Sequence, residues 1–371
     1  MRPPIAALLN LLFVASIGAI LLVPAAGLVA NTARAPAPFL ALLPKDLTRA
    51  GLMVLPKALD QHVAANYGTR DEMIRADAAI KAALGGESRR VAFGTDGFLF
   101  LKDDDVFSQV TGQRLDRAKL ERFADLATAL AREYGRDGRR FIAFVAPNKH
   151  TIYRRHLPVW ARTEPAVTER GLLMDMLRTR GVTAVDPTAA LAARAETDPV
   201  YWHGDTHWTR FGMVIGFDEM VRALGLPEEE IGVDTVFSGQ VAVDRAGDLV
   251  RIAGLGDSWP DVAPKRIGAD PFSEAGLKRD DLLPGQTFGG YRLRHDPLPG
   301  GTARPRVLIL GDSFTVGGFG PLFMRFAGEY MWLHHRLGEF DRALVAKYDP
   351  DIVILETVER HITSFREGDL K

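Results

Sequence analysis

Three short apolar runs, Phe141–Ala146, Val307–Leu310 and Ile352–Leu355, constrain the fold more than any other feature of this chain. None is interrupted by a polar residue, so a strand built from any of them has to be covered on both faces. Helical patterns lie between them. Leu120, Phe123, Ala124, Ala127, Leu130, Ala131 and Tyr134 recur at helix spacing ahead of Gly135, and a second helix over 167–180 stops at Gly181 before a strand at Val182–Val185. A helix from Thr209 to Leu224 and a helical stretch over 319–347 complete the alternation. The pattern predicts an α/β fold, a mostly parallel sheet with helices on both faces. Two short strands joined by a turn are expected in 91–101, where the globular domain begins. Residues 228–301 are rich in glycine and proline without a clear period, and predict a long irregular insertion of the kind that carries function.

No charged residue falls between Arg2 and Arg34, and Ile5–Ala30 is apolar apart from Asn10, Ser16 and small residues. The length suits a membrane span of about 20 residues better than a signal-peptide core of about 7–15. We therefore expect residues 1–34 to be a transmembrane anchor or uncleaved signal, 35–90 a proline-punctuated linker and helical stalk, and 91–371 the globular domain. Small residues around Ala25–Ala30 and Ala33–Ala35 leave cleavage open, and either outcome exports the rest. With 46 basic and 47 acidic residues the net charge is −1, which gives no electrostatic reason to bind nucleic acid. The absence of cysteine excludes disulfides, thiolate nucleophiles and cysteine-ligated metals.

The run Val307–Leu310 leads straight into Gly311-Asp312-Ser313-Phe314. Gly311 lets the chain turn at the carboxyl end of a strand, where ligands and nucleophiles sit in α/β sheets. A serine there needs a base to take its proton and a carboxylate to orient the base. Both occur in His203-Gly-Asp205-Thr-His207-Trp208. In an extended segment residues two apart project to the same side, so Asp205 and His207 lie together ahead of the helix at Thr209. Gly256-Asp-Ser258 repeats the serine triplet, but in a glycine-rich stretch before Trp259-Pro260 that suits a loop. The same residues admit readings without chemistry: Asp312 or Ser313 as a helix cap, and His207 as a structural histidine. His203, His207 and Asp205 suggest a metal site, yet no third imidazole or carboxylate cluster follows at ligand spacing, and no glycine-rich phosphate loop is present. We expect neither metal nor cofactor. His334 and His335 fall in the predicted 319–347 helix and are expected at its surface.

Read in order, Gly94-Thr-Asp-Gly-Phe-Leu-Phe100, Val145-Ala-Pro-Asn-Lys-His-Thr-Ile-Tyr153, Asp205-Thr-His-Trp-Thr209, Gly311-Asp-Ser-Phe314 and Val353-Ile-Leu-Glu-Thr-Val-Glu-Arg-His361 resemble the SGNH-hydrolase-like polysaccharide O-acetyltransferases, the family of the alginate acetylation proteins AlgJ and AlgX. The Asp-His pair precedes the serine here, as in that branch, whereas ordinary SGNH hydrolases place it afterwards. The resemblance implies a three-layer SGNH-hydrolase-like fold, with Ser313 accepting an acetyl group, His207 as general base and acid, and Asp205 orienting His207. It also implies transfer to hydroxyls of an exported polysaccharide such as alginate and a membrane-bound O-acyltransferase as acetyl supplier. The expected location is the inner membrane with the catalytic domain in the periplasm, closer to the AlgJ arrangement. Trp208 is a candidate for stacking on sugar rings, Lys149 and Arg360 for meeting sugar carboxylates or hydroxyls, and Asn148 for joining the Ser313 amide in facing an oxyanion; structural roles remain open for each. Glu356 with Arg360 reads equally as a buried ion pair or a substrate clamp. The same three residues with water as acceptor make a carbohydrate acetyl esterase, and a glycan-binding scaffold is the non-enzymatic alternative.

Overall fold

In the computed structural model the three apolar runs become three adjacent strands at the centre of one sheet. The structure describes residues 88–286, 289–296 and 304–366, all within the unit Gly85–Lys371. The expected anchor and stalk lie outside the described residues. Among the described residues no helix is long and apolar enough to cross a membrane.

In chain order, β1 (Val91–Phe93) and β2 (Leu99–Leu101) form an antiparallel pair, α1 (Arg117–Tyr134) leads to β3 (Arg140–Ala146), and α2 (Glu169–Thr179) leads to β4 (Ala184–Val185). Helices α3 (Thr188–Arg194) and α4 (Arg210–Ala223) follow. Strands β5 (Phe237–Asp244) and β6 (Pro260–Arg266) form a second antiparallel pair on either side of α5 (Asp248–Ala253). The chain then runs through β7 (Leu277–Asp281), β8 (Gly290–His295), β9 (Arg306–Gly311), α6 (Phe319–Met324), β10 (Glu329–His334), α7 (Arg342–Tyr348) and β11 (Ile352–Val358).

The main sheet has the order β4-β3-β11-β9-β10-β8-β7, parallel from β4 to β10 and antiparallel beyond. Strand alternation divides its side chains between two cores. Ile142, Ile354, Ile309 and Trp332 form one row in register across the sheet and pack on one face with Phe211 and Phe217 of α4 and Phe319 and Phe323 of α6. Ala143, Leu355, Leu310 and Leu333 form the next row and pack on the other face with Leu120 and Phe123 of α1, Leu173 of α2 and Val345 of α7. The result is helix, sheet, helix. A smaller core joins Val91 and Leu99 to Leu249 and Val250 of α5.

Three expectations need correction. The helical stretch over 319–347 contains β10, whose Tyr330 and Trp332 face one core while Met331 and Leu333 face the other. A six-residue apolar strand flanked by apolar helices has no period of its own that sets it apart. The region 228–301 is not irregular: it holds β5, α5, β6, β7 and β8, with β8 pairing directly to β10. The reading of Asp312 or Ser313 as a helix cap does not hold either, since turns separate both from α6 at Phe319.

Strands β3, β11 and β9 end side by side, so their carboxyl ends bring Asn148-Lys149, Glu359-Arg360-His361 and Ser313 to one edge. At the end of β9, Gly311 leaves no room for a side chain. A Cβ there would lie 2.9 Å from Glu356 Oε2 and closer still to Thr315 Oγ1. We expect Gly311→Ala to cost about 1–3 kcal/mol, read as a lowered midpoint of denaturant unfolding; an unchanged midpoint would mean that the turn opens freely.

Candidate active site

The serine turn is held from below by two buried carboxyl groups. Asp312 Oδ1 accepts from the Phe314 amide (2.9 Å) and Oδ2 from the Val358 amide (2.9 Å), tying the turn to the end of β11. Glu356 Oε2 accepts from the Asp312 amide (3.0 Å) and the Thr315 hydroxyl (2.8 Å), and Trp332 Nε1 donates to that same hydroxyl oxygen (3.1 Å). Burial opposes ionisation of Asp312, but the His335 and His361 imidazoles, 3.9 and 3.8 Å from Oδ2, outweigh it and hold this carboxyl well below the usual range. Burial and the Asp312 charge push Glu356 well above its ordinary value, so Glu356 is the protonated member of the pair. Ser313 stands exposed at the apex of this braced turn. Its amide donates to no protein group among the described residues.

A bridge between Tyr201 and Trp208 closes the loop that carries the other two groups, and Thr209 caps α4 by accepting from the Phe211 and Gly212 amides. His207 Nε2 lies 2.9 Å from Ser313 Oγ, and His207 Nδ1 lies 2.7 Å from Asp205 Oδ1. A carboxylate at Nδ1 keeps the proton there and leaves Nε2 able to accept from the serine. Asp205 Oδ1 also accepts from the His207 amide (3.1 Å), while Oδ2 accepts from Arg245 Nη2 (3.2 Å) and the Asp248 amide (3.3 Å). Burial works against the Asp205 charge, but the His207 hydrogen bonds and the Arg245 charge prevail and hold it below the usual carboxylate range. The three groups form one hydrogen-bonded line, with His207 and Ser313 106 residues apart in sequence. Such a line has the parts that nucleophilic acyl transfer requires.

The side chains expected to meet the acceptor are all buried. Trp208 does not offer its ring to a sugar; it packs between the two loops, with Nε1 donating to the Phe314 carbonyl (3.1 Å). Lys149 Nζ donates to the carbonyls of Trp202 (3.1 Å), His203 (2.9 Å) and Asp205 (2.7 Å), and so clamps the loop from beneath. Burial pushes its amine down to about 7, against the opposing pull of Asp248, Asp205 and Asp261. Asn148 Nδ2 donates to Gln109 Oε1 (3.0 Å), away from any oxyanion role. Arg360 lies 3.5 Å from Asp104 and covers the Phe314 ring at 5.4 Å, while Glu356 binds the serine turn, so the expected Glu356–Arg360 pair is absent among the described residues. His334 and His335 are not on a helix surface: His334 ends β10, and His335 is fully buried beside Asp312. Ser258 is exposed between α5 and β6.

Asp248 and Arg245 are beyond the reach of sequence reasoning, because both lie in the glycine- and proline-rich stretch that shows no clear period. Ligand atoms of Asp205, His207 and Asp248 come within 4.8 Å of one another. His207 Nδ1 is engaged by Asp205, and both Asp248 oxygens by Thr206.

The layered architecture and the strand-end serine define an SGNH-hydrolase-like α/β protein. Residues 91–324, more than half of the chain, match the family model of the SGNH hydrolase-like domain of acetyltransferase AlgX, and the chain belongs to that family. No curated protein matches the sequence. Among solved structures, Bacillus cereus PatB1 is similar at 11% identity with a TM-score of 0.52, covering 75% of this chain and 100% of its own. The O-acetyltransferase domain of Pseudomonas putida AlgJ is similar at 17% identity and a TM-score of 0.45, over 76% of this chain and 94% of its own. Pseudomonas aeruginosa AlgX is similar at 15% identity and a TM-score of 0.43, over 74% and 64%. The PatB1 likeness bears on the fold.

Because Trp208 is a packing residue, Trp208→Ala should cost about 3–5 kcal/mol of stability. A variant with wild-type thermal unfolding but weakened saccharide binding would instead restore the sugar-stacking role.

Proposed function

We propose that this protein is an O-acetyltransferase that carries acetyl on Ser313 and passes it to hydroxyls of an exported polysaccharide, alginate or a similar exopolysaccharide. The observation that carries the proposal is the line Ser313 Oγ, His207, Asp205, at 2.9 and 2.7 Å, within a chain of an acetyltransferase family. In the first half-reaction Ser313 Oγ attacks the carbonyl carbon of an acetyl ester or thioester donor while His207 Nε2 takes the hydroxyl proton. The tetrahedral intermediate expels the donor's alkoxide or thiolate, which leaves with that proton. In the second, a sugar hydroxyl attacks the acetyl-serine, its proton passes to His207, and collapse returns the proton to Ser313 Oγ. Asp205 holds the Nδ1 tautomer and faces the imidazolium formed in each half. The Ser313 amide supplies one oxyanion donor. A membrane-bound O-acyltransferase as donor partner and a periplasmic site at the inner membrane belong to the same proposal.

Hydrolysis is the second reading, favoured by the exposure of Ser313, since water reaching the acetyl-serine would make the protein an esterase. Incubation of the 371-residue chain with a chromogenic acetyl ester should add about 42 Da to the Ser313 peptide, as covalent acyl-serine chemistry requires. Ser313→Ala and His207→Ala should both lack the adduct. Turnover that survives in Ser313→Ala would end the proposal, and adduct loss that an oligosaccharide does not accelerate over water would favour the esterase.

A further inference from the structure

We propose that Asp248 is a positioning residue for His207, a second carboxylate that works through Thr206 to keep the imidazole in line with Ser313 and adds negative charge beside it. The inference rests on the roles assigned above to Ser313 and His207.

Asp248 holds the residue between the other two. Its Oδ1 accepts from the Thr206 amide (2.8 Å) and its Oδ2 from the Thr206 hydroxyl (2.5 Å). Thr206 Oγ1 lies 3.3 Å from His207 Nδ1, and Asp248 Oδ2 lies 3.7 Å from the same nitrogen. The Asp248 amide meanwhile donates to Asp205 Oδ2. One residue therefore touches the carboxylate, the hydroxyl bridge and the charge field of the base.

Its neighbours extend the grip. Arg245 donates to Asp205 Oδ2 and covers the Trp202 ring at 4.2 Å, and the Val250 amide donates to the Gly204 carbonyl (3.3 Å). Gly247 and Gly204 bring the two backbones into direct contact. A Cβ on Gly247 would overlap the Gly204 carbonyl and come within 3.0 Å of Asp205 Cβ; a Cβ on Gly204 would come within 2.7 Å of Val250 Cγ2. Leu249 and Val250 are anchored in the small core with Val91 and Leu99, so the grip has rigid backing. The insertion between α4 and β7 thus grips the base loop through Arg245, Asp248, Val250 and Asp261.

The charges around His207 give the proposal a readout beyond folding. Asp205 and Asp248 face Nδ1, Arg245 binds the far oxygen of Asp205, and Lys149 holds the Asp205 carbonyl. Asp261 accepts from the His203 and Gly204 amides, and Ser313 and the Phe314 ring complete the surroundings. Two carboxylates stand close to the ring, and removing one charge makes the imidazolium harder to form. Asp248→Asn keeps the shape and one acceptor but removes that charge. The acid limb of kcat/KM against pH, where His207 must lose its proton to act as base, should move to lower pH by about half a unit to one unit, and plateau kcat for acetyl ester turnover should fall about tenfold.

The test compares wild type, Asp248→Asn, Thr206→Val and Ser313→Ala in the 371-residue chain, with a chromogenic acetyl ester as substrate and thermal unfolding as the control. Thr206→Val keeps both carboxylates and removes only the hydroxyl bridge, so it should lower kcat without moving the acid limb, and it remains informative if Asp248→Asn does not fold. A shifted limb in Asp248→Asn with a stationary limb and reduced kcat in Thr206→Val supports the assignment. An unmoved limb with near-wild-type kcat in Asp248→Asn, or wild-type kcat in Thr206→Val, overturns it while Ser313→Ala stays inactive. Activity in Ser313→Ala instead overturns the proposed function, and the Asp248 assignment with it.

Discussion

The contact on which the site depends is the 2.7 Å hydrogen bond between Asp205 and His207, and it exists only because a largely buried carboxylate stays ionised. A carboxylate withdrawn from water is costly unless donors replace the solvent. Asp205 is given four, the His207 amide and imidazole on one oxygen and Arg245 with the Asp248 amide on the other. Holding those donors in place draws in distant parts of the chain. Lys149, just after β3, ties down three carbonyls of the loop, and Arg245 and the Asp248 amide at the start of α5 bind the Asp205 carboxylate. The loop has no regular structure of its own to keep its shape, so charge and hydrogen bonding do that work.

The serine side solves a different problem with similar groups. A strand end must turn sharply and keep one hydroxyl exposed, although the backbone groups at the turn are buried and need partners. Asp312 and Glu356 supply them by dividing the labour of protonation. Asp312, faced by His335 and His361, carries the charge and accepts two amides, while Glu356 stays neutral and accepts from the Asp312 amide and Thr315. A neutral acid beside an ionised one avoids two adjacent buried charges. Trp208 then joins the halves, since its indole reaches from the histidine loop to the Phe314 carbonyl. The separation of nucleophile and base is thus set by a packed aromatic side chain.

Much of this arrangement is legible in the amino-acid sequence. The apolar runs 141–146, 307–310 and 352–355 mark the central strands because strands covered on both faces leave no polar gaps, and the step from β9 to Gly311 marks the serine turn. The two-residue spacing of Asp205 and His207 places both groups on one side of an extended loop, as the hydrogen bond requires. β10 is hidden because Tyr330 to Leu333 feed both cores and so show neither helical nor alternating period. Asp248 is hidden for another reason. Its role depends on a backbone contact between Gly247 and Gly204 that is remote in sequence and carries no periodic signal. Trp208, Lys149 and Arg360 mislead in an instructive way, because polar or aromatic side chains next to a reactive group suggest ligand contact, whereas Trp208 and Lys149 spend their donors on carbonyls that position the loops and Arg360 is buried against Asp104 and the Phe314 ring.

An exposed serine fits a polymeric acceptor, because a hydroxyl in the middle of a chain cannot enter a closed pocket. The same exposure admits water, so the hydrogen-bonded line serves transfer and hydrolysis equally. Placement of the acceptor separates them. A hydroxyl held in line with the acetyl carbonyl reaches an effective concentration of about 10⁵–10⁸ M in well-oriented systems, far above that of liquid water. Transfer then prevails without excluding solvent, provided the sugar is held on the surface bordering Ser313. With Trp208 and Lys149 committed to internal bonds, that surface has to be made by other residues, and Trp202 and Arg245 are partly exposed on the base loop and its clamp. The segment that shapes the base therefore also carries a partly exposed side chain, Arg245, bonded directly to the carboxylate that orients His207.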